Sequence, residues 1–149
     1  MNSSLVLRRT DPALKKAWGD WIDEYQWSCF ITMTFDMPRD PINTLKGGRW
    51  AHKTSGSVRS AIFVEPFQKI EGYHLHGLLY VPEKINSLEP FMKSLQKRMI
   101  NNFGLSKVLP AWAGHASRYV TKHTGDLDTQ GLEWELLGDW EIPNIGINN

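Results

Sequence analysis

The segment that most constrains the fold is a pair of apolar, β-branched and aromatic stretches joined by a short turn. The first stretch reads VRSAIFVEPF (58–67), the turn reads QKIEG (68–72), and the second stretch reads YHLHGLLYV (73–81). Residues of these types are enriched in strands, and a short connection that contains glycine is typical of a hairpin. The segment therefore predicts two neighbouring antiparallel strands over residues 58–81.

Other helices and strands are predicted on both sides of this hairpin from apolar spacing, capping residues and β-branched content. They are helix 10–26, strand 27–35, helix 87–104, strand 106–112 and helix 114–125. Segment 132–137 fits either a helix or an edge strand. Segment 36–57 contains two prolines and three glycines, and we predict a long connection with at most one short helix. This order favours an α+β fold, a mostly antiparallel central sheet with flanking helices.

Length and charge indicate one domain with an uneven charge distribution. The 149 residues suffice for one core, which we place at about residues 10–125 of a single domain spanning 1–149. All 17 Lys and Arg residues lie at or before Lys122, whereas six of the 16 acidic residues lie in 126–149. The body is therefore basic and can attract a polyanion such as nucleic acid. The acidic tail, 126–149, has no assigned role.

The sequence also bears on the compartment. No apolar run approaches the roughly 18 residues that a membrane span needs, and MNSSLVLRRT at the start lacks a signal-peptide pattern. We therefore expect no membrane partner. Cys29 is the sole cysteine, so no internal disulfide can form, which is compatible with a reducing compartment.

Two histidines on one predicted strand are the main chemical feature. His74 and His76 are two residues apart, so a strand places them on the same face. If the hairpin turns at 68–71, Glu65 lies opposite His74 and shares that face. Two imidazoles and a carboxylate can share one divalent ion. Glu71 is the competing carboxylate at the hairpin tip, and without metal the histidines would line a polar edge.

A second cluster lies in HASRYVTKH (115–123). On a helix, residues three and four apart are neighbours, so Tyr119 and Lys122 lie along one side. A tyrosine hydroxyl is a weak nucleophile near neutral pH, and a nearby lysine stabilises its anion. Taken alone, the pattern is more typical of a tyrosine packed on the sheet and a lysine extended into water.

Together, the motifs resemble the HUH endonuclease superfamily, and within it the single-tyrosine Rep nucleases of rolling-circle replicons. HLHGLL resembles the histidine–hydrophobic–histidine motif, RYVTKH the tyrosine motif, and FITMTF the first motif of the family. Glu65 occupies the place of the acidic metal ligand. The order of these parts over residues 27–125 is also similar. The resemblance implies an RRM-like or palm-like nuclease fold.

The resemblance implies an enzyme that nicks and joins single-stranded DNA at an origin hairpin and so starts rolling-circle replication of a small circular virus or plasmid. Tyr119 would be the nucleophile that forms a 5′-phosphotyrosine, assisted by Lys122. Glu65, His74 and His76 would hold Mn²⁺ or Mg²⁺. The chain has no G-x-x-x-x-G-K-[ST] motif, so a separate host or viral helicase and polymerase are expected. The location would be the host cytoplasm, or the nucleus of a eukaryotic host.

The predicted DNA contacts are basic, aromatic and hydroxyl side chains, mostly in segment 46–59, where cations alternate with an aromatic residue that can stack on bases. They are Thr32, Thr34, Lys46, Arg49, Trp50, Lys53, Arg59 and Arg118. The two threonines also suit a simple strand face, and segment 46–59 also suits a solvated loop.

Two other functions fit parts of the pattern. A single-strand transposase of the same superfamily shares these motifs. A non-catalytic RRM-like nucleic-acid-binding module shares the expected sheet and helices, but it would present exposed aromatic side chains on the sheet. The sequence has His74, His76 and Glu65 at those positions instead.

Overall fold

A computed structural model describes residues 19–67, 69–111 and 133–140 of the chain. The strands are β1 (Cys29–Met33), β2 (Arg59–Pro66), β3 (Tyr73–Tyr80), β4 (Ser106–Pro110) and β5 (Glu133–Gly138). The helices are α1 (Pro41–Ser55) and α2 (Leu88–Phe103), with a 3₁₀ helix at Pro82–Ser87. Residues 19–23 are also helical. The strands form one sheet in the order β4-β1-β3-β2-β5, and every neighbouring pair is antiparallel. The predicted α+β architecture is confirmed.

The predicted hairpin forms β2 and β3, with Glu65 directly opposite His74. The Phe67 N–H donates to the Gly72 carbonyl at 3.0 Å and closes the turn. Gly72 has φ +107°, a conformation that residues with a Cβ rarely adopt. The turn therefore supports the register on which the positions of the polar side chains depend.

Alternation along the strands gives the sheet two different faces. The first face packs against α1 and α2 around fully buried side chains that include Ile31, Ile62 and Leu75. The opposite face carries a second cluster, in which Phe30, Phe63 and other buried side chains contact tryptophans from outside the central strands. Leu75 thus faces the helices, whereas its neighbours His74 and His76 belong to the opposite face, as the strand period predicts.

Helix α1 corrects the prediction of a long connection over 36–57. The Asp40 side chain accepts a hydrogen bond from the Asn43 N–H at 2.7 Å and caps the helix. Pro41 occupies the first turn, and Gly56 at φ +73° ends the helix. Gly47 and Gly48 are buried within it. The glycines that suggested a loop instead allow a four-turn helix to approach the sheet closely.

Some of the remaining predicted helices and strands lie in the described residues, and others lie outside them. Segment 132–137, which fitted a helix or an edge strand, is a strand in its described part: β5 pairs with β2 and is the last strand of the sheet formed by the described residues. Residues 19–23 of the predicted helix 10–26 are helical, and the helix ends at residue 23 rather than 26. The predicted helix 114–125 lies outside the described residues. Among the helices of the described part of the chain, none combines the length and apolarity that crossing a bilayer requires.

Gly48 gives a test of how α1 packs. A Cβ atom there would lie 2.5 Å from Ile62 Cγ2, so the buried isoleucine would have to move. Alanine in a helix interior normally gains about 1 kcal/mol over glycine. We expect Gly48→Ala instead to lower the free energy of unfolding, since overpacking costs about 1–3 kcal/mol. Urea denaturation measures the change.

The control for this prediction is a double-mutant cycle with Ile62→Ala, which removes the obstructing methyl group. The destabilisation by Gly48→Ala should shrink or reverse in that background. A stabilising Gly48→Ala in the otherwise unchanged chain would contradict the close packing of α1 on the sheet.

Candidate metal centre

Three potential ligands converge where β2 and β3 approach the hairpin turn. Glu65 Oε1 lies 2.6 Å from His74 Nε2 and 3.0 Å from His76 Nε2. The strand register causes this convergence, because Glu65 is the direct partner of His74 and His76 follows two residues later on the same face. Among the described residues, these three form the group of metal-ligating side chains whose ligand atoms all lie within 4.8 Å of one another.

The donor set fits a divalent metal ion. Ligand atoms held at right angles, each about 2.1 Å from an ion, are about 3 Å apart. The 3.0 Å separation between Glu65 Oε1 and His76 Nε2 matches this value, and the 2.6 Å separation between Glu65 Oε1 and His74 Nε2 is shorter. Two imidazoles with one carboxylate suit transition metals, including Mn²⁺, better than Mg²⁺, which prefers oxygen ligands. The structure thus supports a metal site without identifying the ion.

Aromatic rings pack against both imidazoles. The Phe30 ring stacks on His76, with centroids 5.8 Å apart and planes 13° apart. The Phe67 ring lies 4.7 Å from the His74 ring. The side chains of His74, His76 and Glu65 are 17%, 6% and 13% exposed, respectively. These side chains are therefore largely shielded from water, and His74 and Glu65 remain partly exposed.

The structure distinguishes the two carboxylates that the sequence left open. Glu71 is exposed in the turn, whereas Glu65 contacts both imidazoles. Glu65 is therefore the third member of the candidate centre.

The predicted DNA contacts on α1 lie in the helical layer, on the opposite face of the sheet from the metal centre. Lys46 and Lys53 are exposed there. Arg49 donates two 2.8 Å hydrogen bonds to Glu135, and this carboxylate raises the pKa of the arginine. The Trp50 ring meets Phe103 edge to face at 5.0 Å. Arg49 and Trp50 thus have structural partners, and none of the four adjoins the metal centre.

Arg59 does not fit the predicted role of a DNA contact. The residue is 2% exposed, and its Nη2 donates to the Gln26 carbonyl at 2.9 Å. Its guanidinium lies over several aromatic rings at centroid distances of 4.6–5.9 Å; these rings belong to Tyr25, Trp27, Tyr80 and Trp140. Burial lowers the pKa of Arg59. Arg59 thus anchors an aromatic cluster beneath the surface.

The two threonines occupy different environments. Thr32 is the direct partner of His76 in the β1–β3 register, and its Oγ1 lies 3.3 Å from His76 Nδ1. Thr34 follows the end of β1, and its N–H donates to the Leu105 carbonyl at 2.8 Å. Thr32 therefore lies next to the candidate metal centre.

Lys107 is a candidate DNA contact that the sequence patterns did not indicate. It pairs with Thr32 in the β1–β4 register, so it lies on the face that carries His76. Lys107 is exposed, and Leu109, also on that face, is 47% exposed. The lysine backbone lies two strand spacings from His76, about 10 Å. Alternation within SKVLP was visible in the sequence, but the face of each residue required the strand register.

Other potential nucleophiles are engaged in packing. Burial raises the pKa of Cys29 to about 12, so its thiol stays protonated. Ser60 is fully buried with its Oγ 2.6 Å from His52 Nδ1, on the helical side of the sheet. Burial also lowers the pKa of His52.

Three of the four tyrosines lie in the described part of the chain. Tyr25 is 5% exposed and donates to the Trp140 carbonyl at 3.0 Å, and burial raises its pKa. Tyr73 packs against the helix-side core. Tyr80 donates to Gln26 at the other end of β3. Tyr119 lies outside the described residues, as do Lys122 and Arg118.

Comparison of the chain with family models, curated proteins and solved structures found no match. The chemical assignment therefore depends on the geometry of the centre and on the sequence motifs.

The first prediction from the centre concerns metal binding. We expect the protein to bind Mn²⁺. Glu65→Gln should weaken binding strongly because it replaces the anionic carboxylate with a neutral amide, and His74→Ala should weaken it strongly because it removes one imidazole ligand. Isothermal titration with Mn²⁺ measures the affinity, and the rise in melting temperature with Mn²⁺ provides an independent readout.

Glu71→Gln is the matched control, because it changes a carboxylate in the same hairpin that is exposed and outside the centre. Its Mn²⁺ affinity should equal that of the original chain. Equal losses in the Glu65→Gln and Glu71→Gln variants would contradict the assignment of Glu65.

Proposed function

We propose that the protein is a metal-dependent enzyme that nicks and rejoins single-stranded DNA through a transient link to tyrosine. The observation that carries this proposal is the convergence of Glu65 Oε1 on the Nε2 atoms of His74 and His76 within 3.0 Å. Three protein ligands leave positions for water and substrate oxygens, an arrangement typical of catalytic rather than structural metal sites.

In the proposed reaction, one group of side chains binds the metal ion and a different side chain attacks the phosphate. Glu65, His74 and His76 hold Mn²⁺ or Mg²⁺. The bound ion supplies stabilisation of the negative charge that develops on the scissile phosphate. Burial of the ligands and their contacts with Phe30 and Phe67 keep the ligands oriented before substrate binds.

Tyr119 is the proposed nucleophile, on the basis of the RYVTKH motif. Its hydroxyl gives up a proton and the oxygen bonds to phosphorus, while the bond from phosphorus to O3′ breaks and O3′ takes up a proton. The products are a free 3′-hydroxyl and a 5′-phosphotyrosine. The link conserves the phosphodiester, so a later 3′-hydroxyl can reverse the step and join strands. Lys122 stabilises negative charge on the tyrosinate or the phosphate.

The packing of the other tyrosines supports this choice. Tyr25 is buried with a raised pKa, Tyr73 contributes to the helix-side core, and Tyr80 lies four residues beyond His76. Four residues of strand correspond to about 13 Å. Tyr119 is therefore the remaining tyrosine to test for a covalent link.

The biological reaction we propose is initiation of rolling-circle replication of a small circular virus or plasmid, with a separate helicase and polymerase. Cleavage of origin hairpins in preference to transposon-end hairpins supports this role, and the reverse preference supports a transposase. The RRM-like alternative is less favoured, because Phe30 and Phe63, on the face of the sheet that carries His76, are 8% and 2% exposed. Neither ring is available to stack on a base.

We further propose that DNA approaches the centre across β1 and β4. Lys107 is exposed on the same face as His76, and a lysine binds phosphate as a point charge. The α1 cations Lys46 and Lys53 lie behind the sheet, so DNA that reaches them must pass around an edge. Lys107 is therefore the better candidate for the phosphates nearest the centre.

The central test of the proposal is a covalent adduct. Single-stranded oligonucleotides with origin-type hairpins and a 3′ label are incubated with protein and Mn²⁺, then separated on a denaturing gel. We expect labelled DNA to migrate with the protein, because the tyrosine retains the 5′-phosphate of the downstream fragment. EDTA and Tyr119→Phe should each abolish the adduct, whereas Tyr80→Phe should retain it.

Cleavage that persists unchanged in Tyr119→Phe would overturn the assigned nucleophile. Binding without cleavage or adduct across a panel of origin and transposon-end hairpins would favour the non-catalytic module.

Lys107 yields a separate prediction about DNA binding. Lys107→Ala should weaken binding to a single-stranded oligonucleotide and reduce the slope of log K against log salt concentration by about 0.7, the value for one phosphate contact on a single strand. Fluorescence anisotropy at several salt concentrations measures the slope. Lys93→Ala on α2 is the control and should leave it unchanged.

Lys53→Ala tests the alternative route over α1 in the same assay. If Lys53→Ala reduced the slope and Lys107→Ala left it unchanged, the proposed approach across β1 and β4 would be contradicted.

A further inference from the structure

Thr32 contacts Nδ1 of His76, the imidazole nitrogen that does not face Glu65. Its Oγ1 lies 3.3 Å from His76 Nδ1, whereas His76 Nε2 lies 3.0 Å from Glu65 Oε1. The imidazole is therefore contacted at both nitrogens, by the carboxylate on one side and by the hydroxyl on the other.

These contacts have different proton requirements with and without metal. A neutral imidazole carries its proton on one nitrogen only. When His76 Nε2–H donates to Glu65, Nδ1 accepts a hydrogen bond from the Thr32 hydroxyl. When Nε2 directs its lone pair at a metal ion, Nδ1 carries the proton and donates to Thr32 Oγ1. A hydroxyl can both donate and accept, so it can serve both states by rotation of its O–H bond.

The burial and packing around His76 make its hydrogen bond with Thr32 important for the orientation of the ring. His76 is 4% exposed, so water has little access to replace a lost hydrogen-bond partner. Thr32 is β-branched, which restricts its χ1 rotation, and its position opposite His76 follows from the β1–β3 register. The Phe30 ring stacks on the imidazole and limits its tilt. The hydroxyl is therefore well placed to select the tautomer of a ring whose plane is already restrained.

We propose that Thr32 is a positioning residue that stabilises the Nδ1–H tautomer of His76 and thereby strengthens metal binding. This inference rests on the metal site of the proposed function, and it assigns Thr32 a role different from direct DNA contact. Residues that hydrogen-bond to a metal-ligating histidine typically affect metal affinity by 10–100-fold.

The test compares Thr32→Val with Thr32→Ser by isothermal titration with Mn²⁺ alone. Valine keeps the branched shape and removes the hydroxyl, so we expect an affinity about tenfold or more below that of the original chain. Serine keeps the hydroxyl and should restore most of the affinity. Thr54→Val on α1, in the helical layer, is the matched control and should bind Mn²⁺ normally.

A second readout follows the tautomer directly. Nitrogen-15 NMR of the histidine side chains, with diamagnetic Zn²⁺ as the probe, should show His76 as Nε2–H without metal and as Nδ1–H with metal. This measurement uses the original chain, so it does not depend on the folding of Thr32→Val. Metal binding at Nε2 by itself requires Nδ1–H, so the test of Thr32 is the proton shift: in the zinc-loaded protein the Nδ1–H proton should resonate downfield, as expected for a hydrogen bond to Thr32 Oγ1. An Nδ1–H proton without that shift, or an Nε2–H tautomer, would overturn the proposal.

The outcomes separate this inference from the metal site itself. Unchanged Mn²⁺ affinity in Thr32→Val, with binding lost in His76→Ala, would overturn the role of Thr32 and leave the site intact. Equal losses in the valine and serine variants would also overturn it, because the hydroxyl would not be the cause. No Mn²⁺ or Zn²⁺ binding by the original chain would overturn both proposals.

Discussion

The register between β2 and β3 is the constraint on which the candidate site depends. It places Glu65 opposite His74, and strand alternation then brings His76 to the same carboxylate oxygen. A slip of one residue would move the histidines to the helix-packed face and expose Leu75, which is fully buried. The free energy of core burial therefore maintains the geometry of the polar centre, and the turn closed at Gly72 reinforces it.

The two faces of the sheet carry different groups of side chains. On the helical side, α1 approaches closely through Gly47 and Gly48, and α2 completes the core. On the other side, buried Arg59 lies among aromatic rings and anchors the chain around Trp140. The polar centre lies toward the other end of β2 and β3, beside the turn. Packing on both sides of the sheet thus restrains the strands that carry Glu65, His74 and His76. The exposed Lys107 adds a positive charge to the face that carries His76.

Local sequence patterns were sufficient for the features that follow from strand period and short hairpin connections. They predicted β2, β3 and the shared face of Glu65, His74 and His76, because these depend on residues close in sequence. They did not predict α1 as a long helix, because glycines such as Gly47 and Gly48 are typical of loops. Their role in bringing the helix close to the sheet depends on the tertiary structure. The sequence patterns also assigned Arg59 to DNA by its charge, which carries no information about burial. Lys107 required the β1–β4 pairing, a contact between distant segments.

Electron spin-echo envelope modulation of the protein loaded with one equivalent of Mn²⁺ determines whether Glu65, His74 and His76 hold one divalent ion. This spectroscopy detects nitrogen nuclei coupled to the metal spin. We expect coupling from two imidazole nitrogens in the original chain and from one in His74→Ala. Absence of imidazole coupling, or a signal unchanged by His74→Ala and by His76→Ala, would contradict this expectation.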